Sequence, residues 1–224
     1  MKKFVFILVV ISLFSFSLEA QAALISFIND ASTGESIEGV DIIGMNFSDS
    51  DTTKTIMRTS LSLLHNTATL SAYSNNDPWL LTHRGTRGLG ILGQEQDEID
   101  SYSNLERIEV SFDNPVYIKS FEVRSLFYEP NLFSPGTEYG QVAFYNGSSN
   151  VFTQAMAGVE DIRLGTKGIA NYTYSNMHLI DKLVFYVPQG QCYTPYSEFA
   201  LAKIEVCEEV PEPATMFMLF SFIS

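Results

Sequence analysis

Cysteine is nearly missing from this chain: only Cys192 and Cys207 occur in 224 residues, and neither has a histidine close by. Two thiols without an imidazole cannot build a four-ligand structural zinc site. Histidine is scarce too, limited to His65, His83 and His178, which are widely separated and in unlike contexts. No G-x-S-x-G elbow, H-E-x-x-H pair or cysteine-nucleophile signature is present, so the expectation is a protein that is not an enzyme. Positive charge is sparse, with 13 Lys and Arg against 26 Asp and Glu, and the basic residues stand singly. A surface of that sign repels phosphate backbones and anionic headgroups, which argues against a nucleic-acid partner. No apolar run reaches the ~20 residues that a membrane-spanning helix needs.

What is present begins with an export signal. Met1-Lys2-Lys3 is a short basic region, residues 4–18 form an uncharged apolar run, and Ala20-Gln21-Ala22 is a small-residue pattern of the kind a signal peptidase cuts. Residues 1–22 therefore read as a signal peptide forming the N-terminal signal helix, with the mature chain starting at Ala23. The alternative, an N-terminal anchor, requires a longer run. Cleavage takes two basic residues and one acidic residue, leaving 11 against 25 and a formal charge of −14. Residues 23–208 are enough for one domain. In an oxidising compartment a Cys192–Cys207 disulfide is expected, closing a loop of about 15 residues for ~3 kcal/mol in the chain-entropy model. Two buried free thiols are the alternative.

The body reads as all-β. In residues 107–113, Ile108, Val110 and Phe112 alternate with Arg107, Glu109, Ser111 and Asp113. That period of two marks a half-buried antiparallel strand. Asp113-Asn114-Pro115 supplies a turn into a second strand over 116–127, so the pair reads as a hairpin. The apolar parity changes between Ile118 and Phe121, which predicts a bulge near Ser120. Further strand-like runs are 24–28, 40–47, 67–73, 79–83, 141–145, 151–154, 169–174, 179–187 and 199–206, several separated by turn clusters such as Asn75-Asn76-Asp77-Pro78. A marginal helix is expected around 57–64, in a stretch dominated by Thr and Ser. In the last strand Ala200, Ala202, Ile204 and Val206 share one parity, and the strand is expected to start buried on both faces and to end at an edge. Many short strands and polar turns point to an antiparallel β-sandwich or barrel, and no internal repeat is visible.

The C-terminus carries Val210-Pro211-Glu212-Pro213-Ala214-Thr215 followed by an apolar run ending at Ser224. This resembles the PEP-CTERM sorting signal of Gram-negative exopolysaccharide producers. The resemblance implies processing by an exosortase as well as signal peptidase, and delivery to the cell surface or the surrounding matrix, with transient inner-membrane attachment. The family pattern continues into a longer apolar helix and an Arg-rich tail. Here the apolar run of 214–224 reaches ~16 Å against a hydrocarbon core of ~30 Å, and nothing basic follows it. Either the sequence is truncated, or the signal has decayed and the protein is released. Residues 209–224 are thus a short C-terminal sorting tail.

A second resemblance covers most of residues 80–206. Arg87-Gly88-Leu89-Gly90-Ile91, then Asp97-Glu98-Ile99-Asp100, the strand over 105–112 and a closing Glu198-Phe199-Ala200-Leu201-Ala202 are similar to the β-sandwich domain of PEP-CTERM proteins, itself similar to jelly-roll carbohydrate-binding modules. It implies a jelly-roll body that binds or embeds in exopolysaccharide. The alternatives are a structural extracellular protein with no specific ligand, or a secreted glycan-active hydrolase.

Four groups of residues are candidates for chemistry. Gly88-Leu89-Gly90-Ile91-Leu92-Gly93 matches G-x-G-x-x-G, yet three carboxylates follow within five positions and no helical pattern lies behind them. Nucleotide binding is therefore not expected, and the glycines read as places where strands approach closely. Asp97 and Asp100, in an expected loop, are candidate ligands for a structural calcium, against the plainer reading of a solvated acidic turn. The jelly-roll resemblance adds Glu198 as a third ligand. Asp49-Ser50-Asp51 is only a fragment of a calcium loop. For sugar rings the candidates are Tyr193 and Tyr196 beside Cys192, together with Trp79, whose alternative role is a core anchor; Tyr102 and Tyr128 also lie in or beside loops.

Overall fold

The computed structural model describes residues 21–28, 54–56, 58–63, 66–84, 86–92, 96–100, 105–129, 136–161, 164–175, 179–188 and 197–208. Seventeen strands run through them, and pairing is antiparallel except where β10 (Phe127–Glu129) meets β14 (Glu160–Asp161). The fold is all-β and largely antiparallel. The expected strands at 24–28, 67–73, 141–145, 151–154, 169–174, 179–187 and 199–206 correspond to β1 (Gln21–Ser26), β4 (Thr67–Ser74), β12 (Tyr139–Asn146), β13 (Ser149–Ala157), β15 (Ala170–Thr173), β16 (Leu179–Tyr186) and β17 (Glu198–Glu208). The run at 79–83 divides into β5 (Asp77–Trp79) and β6 (Leu81–Arg84), and the one at 40–47 lies outside the described residues.

The organising element is β9, Glu106–Arg124, a single 19-residue strand. Its first half pairs with β4 and β16, through Leu70↔Val110 and Leu183↔Val110; its second half pairs with β17 and β15, through Ile204↔Phe121 and Tyr172↔Phe121. This corrects the expected hairpin. Asp113, Asn114 and Pro115 are all exposed and form an excursion within one strand, where the β16 register jumps between Ile180 and Lys182. Turn-forming residues sit comfortably there because proline has no N–H to give a ladder. Asn66 fills the gap: its Oδ1 accepts the backbone N–H of Asn114 at 3.0 Å and that of Thr67 at 2.9 Å, while its Nδ2 donates to the Asn114 carbonyl at 2.7 Å.

The bulge near Ser120 is present. Glu205 faces Ser120 and Val206 faces Ile118, so Lys119 is the extra residue, and burial switches parity across it from Ile118 to Phe121. A second bulge, at Ala202 between Leu201 and Lys203, changes the expected face of β17. Phe199 and Leu201 before the bulge, and Ile204 and Val206 after it, join one core, leaving Ala200 and Ala202 outside that cluster. β17 starts buried on both faces, as expected, but is not an edge, because β1 pairs along it from Ser26↔Lys203 to Gln21↔Glu208 while β9 pairs on the other side. The marginal helix at 57–64 is also corrected: Arg58–Ser62 is strand β3, paired with β4. Thr, β-branched, favours extended backbone, and the ladder to β4 carries the serines with it.

The core centres on Phe121, which stacks on Tyr172 at 4.9 Å between ring centroids and meets Phe185 edge-on at 5.5 Å. Phe144, Phe152 and Tyr174 extend this aromatic layer toward β13. Two glycines permit close packing: a Cβ on Gly158 would lie 2.0 Å from the Phe127 carbonyl oxygen, and one on Gly88, at φ +113°, would lie 2.4 Å from that of Leu201.

Candidate functional site

The acidic stretch expected as a loop is β8 (Gln96–Asp100), paired with β7 (Gly88–Leu92) and with the start of β17. Alternation sends Ile99 into the core opposite Phe199, and Glu98 and Asp100 are buried too. Glu198 stands directly across from Asp100. The structure thus brings two of the three proposed cation ligands together; of the third, Asp97, the backbone lies in β8 and the side chain is outside the described residues.

Two carboxylates join this group that sequence reasoning did not single out. Glu106 opens β9 at the parity of Ile108, Val110 and Phe112, and is 2% exposed. Its inward parity was the available signal. The Asp100 backbone N–H donates to Glu106 Oε2 at 3.1 Å. Burial, then the charge of Asp100, pushes the Glu106 carboxyl up to about 8, so at neutral pH this group holds a proton. Glu98 is neutralised by Arg87, whose Nη1 lies 2.9 Å from Glu98 Oε1. Further along the same strands, fully buried Arg124 donates to Glu122 Oε1 at 2.7 Å and to the Thr86 carbonyl at 2.7 Å, and Lys203 reaches Glu122 Oε2 at 3.3 Å. Glu98 and Glu122 are thus matched by cations and Glu106 by a proton, as burial demands. Among the described residues, no three His, Cys, Asp or Glu side chains converge closely enough to hold a metal ion.

Trp79 occupies a different place. Asn75 and Asn76, at φ +51° and +71°, make the tight turn between β4 and β5, which sets Trp79 opposite Ala72. The residue is 43% exposed, against its reading as a core anchor. The indole N–H donates to the Leu92 carbonyl at 2.5 Å, fixing the ring between β5 and the end of β7. Beside the same turn, the Arg107 guanidinium lies 4.3 Å over the Tyr73 ring and donates to Asn76 Oδ1 at 2.8 Å. Trp79 shares a face with Ala72 and Ile108, and Tyr73 and Arg107 lie on the opposite face, so the ring and the guanidinium flank the turn from two sides. Tyr128 is a second exposed ring, at 41%, in β10.

The G-x-G-x-x-G match begins inside β7, and Gly88 is where the backbone of β17 comes close, with Leu201 paired to Leu89. The Cys192–Cys207 disulfide is corrected at its described end, since Cys207 is a free, buried thiol. Cys192, Tyr193, Tyr196 and Tyr102 lie outside the described residues, as do His65, His178, Asp49, Asp51 and the motif Val210, Pro211, Glu212, Pro213, Ala214 and Thr215; of His83 only the backbone, in β6, is described.

Comparison with protein-family models, with curated proteins and with solved structures gave no match.

Proposed function

We propose that the chain is an exported, non-enzymatic protein of a bacterial surface or extracellular matrix, whose body is an antiparallel β-sandwich of jelly-roll type that binds or embeds in exopolysaccharide. The observation that carries this reading is Trp79, because pyranose recognition uses an aromatic face held rigid, and Trp79 is both exposed and fixed by its indole N–H. The sandwich is supported by β9, which hands the chain from one set of antiparallel partners to another at the excursion around Asn114. Export rests on the N-terminal signal, and handling by an exosortase on the Val210-Pro211-Glu212-Pro213-Ala214-Thr215 resemblance. A glycan hydrolase would need its two carboxylates across an open cleft. Asp100 and Glu106, at 4% and 2% exposure, are withheld from a polymer, which favours a binding role.

Affinity electrophoresis in gels containing the producer's exopolysaccharide tests this. Migration of the intact chain should be retarded, and Trp79→Ala, or Tyr193→Ala with Tyr196→Ala, should weaken retention by about tenfold, the equivalent of ~1.4 kcal/mol. Circular dichroism checks that the variants remain folded. Unretarded migration of the intact chain at every glycan concentration would leave the structural role without a ligand in its place.

The opposition of Asp100 and Glu198 favours a second reading, a structural calcium held by these two residues and Asp97. A ligand of the native state alone raises the melting temperature. Calcium should therefore raise the midpoint and a chelator lower it, and equal midpoints would remove the ion.

A further inference from the structure

Residues 139–159 contain no Asp, Glu, Lys, Arg or His, in a chain of which 17% is charged. They form the hairpin of β12 and β13 together with the two residues after it. β13 ends the strand order of the large sheet, and among the described residues it pairs with β12 alone. Edge strands are ordinarily blunted by charge, by proline or by shortness. β5, for comparison, has three residues and one is Pro78. β13 has nine residues, no charge and no proline, and its one irregularity is a bulge at Val151, between Phe152 opposite Phe144 and Asn150 opposite Tyr145.

The backbone groups that face outward are identifiable. Ala157 donates its N–H to Tyr172 Oη at 3.3 Å, and the next residue, Gly158, donates inward to the Glu138 carbonyl at 3.0 Å. Residues 153 and 155 share the parity of Ala157 and so direct their N–H and C=O away from β12. The Ala155 carbonyl accepts a local bond from Gln154 Nε2, at 2.6 Å, which a competing strand can displace. The side chains of Val151, Thr153 and Ala155 are all exposed.

From this we infer that β13 is an assembly edge and that its occupant is a second copy of the chain, joined by antiparallel β13–β13 addition about a two-fold axis at Thr153. Two arguments select this occupant. Copies of formal charge −13 repel wherever acidic surfaces meet, and this hairpin is a long stretch where neither copy carries charge. The edge is also self-complementary: with Thr153 on the axis, Thr153 faces its own counterpart and the small side chain of Ala155 lies opposite the bulge at Val151 in both directions, so no charged or bulky pair is opposed. The two sheets then become one continuous sheet across the axis, with main-chain hydrogen bonds at its centre.

Sedimentation equilibrium of the exported chain should give a dimer. Thr153→Lys, placing like charges opposite each other on the axis, should weaken dimerisation by at least about tenfold. Thr153→Pro removes one outward donor per copy without touching the β12 ladder, and should act in the same direction. An equimolar mixture of Thr153→Lys and Thr153→Glu chains should restore the dimer as a heterodimer. Unchanged far-ultraviolet circular dichroism checks that each variant is folded. A monomer throughout the accessible concentration range would overturn the inference. So would a dimer that Thr153→Lys leaves intact, or a charge-swapped mixture that stays monomeric.

Discussion

At the scale of single residues, the most informative are those whose chemistry conflicts with their position. Glu106 is a carboxyl on a core parity, and its affinity for a proton, raised from 4.5 to about 8, has a consequence for stability. Between those values the folded chain keeps a proton that the unfolded chain has released. Its favourable contribution is complete below about pH 4.5 and is lost as pH rises through about 8. The denaturation midpoint should therefore fall across this window, and Glu106→Gln should flatten that part of the slope; identical profiles for the two proteins would contradict the assignment. Gly158 presents the simpler conflict of space. A methyl group there meets the Phe127 backbone, which cannot rotate away, so Gly158→Ala should cost more than ~2 kcal/mol in urea unfolding, whereas Gly147→Ala, with nothing within 4 Å of its added Cβ, should cost less and only through its positive φ. Lys119, the exposed bulge residue, is tied to half-buried Glu205: its Nζ sits 2.6 Å from Glu205 Oε1, and this contact holds the Glu205 carboxyl below its usual range.

At the scale of elements, β9 decides the fold. Phe121 lies where its second half meets β15 and β17, and Phe121→Ala should destabilise by ~3–5 kcal/mol because stacked Tyr172 and edge-on Phe185 both lose a partner. Asn66→Ala, which strips partners from the excursion at Asn114, should cost ~1–3 kcal/mol in the same assay. The alternation of Ile108, Val110 and Phe112, and the parity break around Ser120, were legible in the sequence because they are set by which face of a strand is buried. Misread was the choice of partner. Asp113-Asn114-Pro115 is a strong local turn signal, yet whether a chain reverses there depends on distant strands, here β4 and β16 on one side and β17 on the other. β3 was missed for a related reason: its Thr and Ser carry no apolar alternation, and only pairing with β4 makes it a strand. Of the candidate site, Asp100 and Glu198 are legible from composition and resemblance; Glu106 is marked only by its inward parity, and that it meets Asp100 depends on how β8 and the start of β9 are placed.

At the scale of the whole molecule, the charge balance and the strand order describe a strongly acidic body with one neutral rim, and no helix among the described residues is long and apolar enough to cross a membrane. The two ends of that body are neighbours, since Gln21 pairs with Glu208 and Ala22 with Cys207. The proposed cut after Ala22 therefore falls within a strand whose partner is the last strand of the chain. This makes processing a matter of timing. A peptidase that works while the chain is still being exported meets residues 20–23 before β17 has arrived, and cuts an open segment. A late peptidase meets a closed ladder. Precursor that is allowed to fold first should be cut more slowly than precursor presented unfolded, and equal rates would show that the end of β1 opens readily. In a late-cut molecule both apolar runs, 4–18 and 214–224, would leave from the same point of the fold, so that the order of two events, zippering and cleavage, would determine whether one or two greasy segments lead away from it.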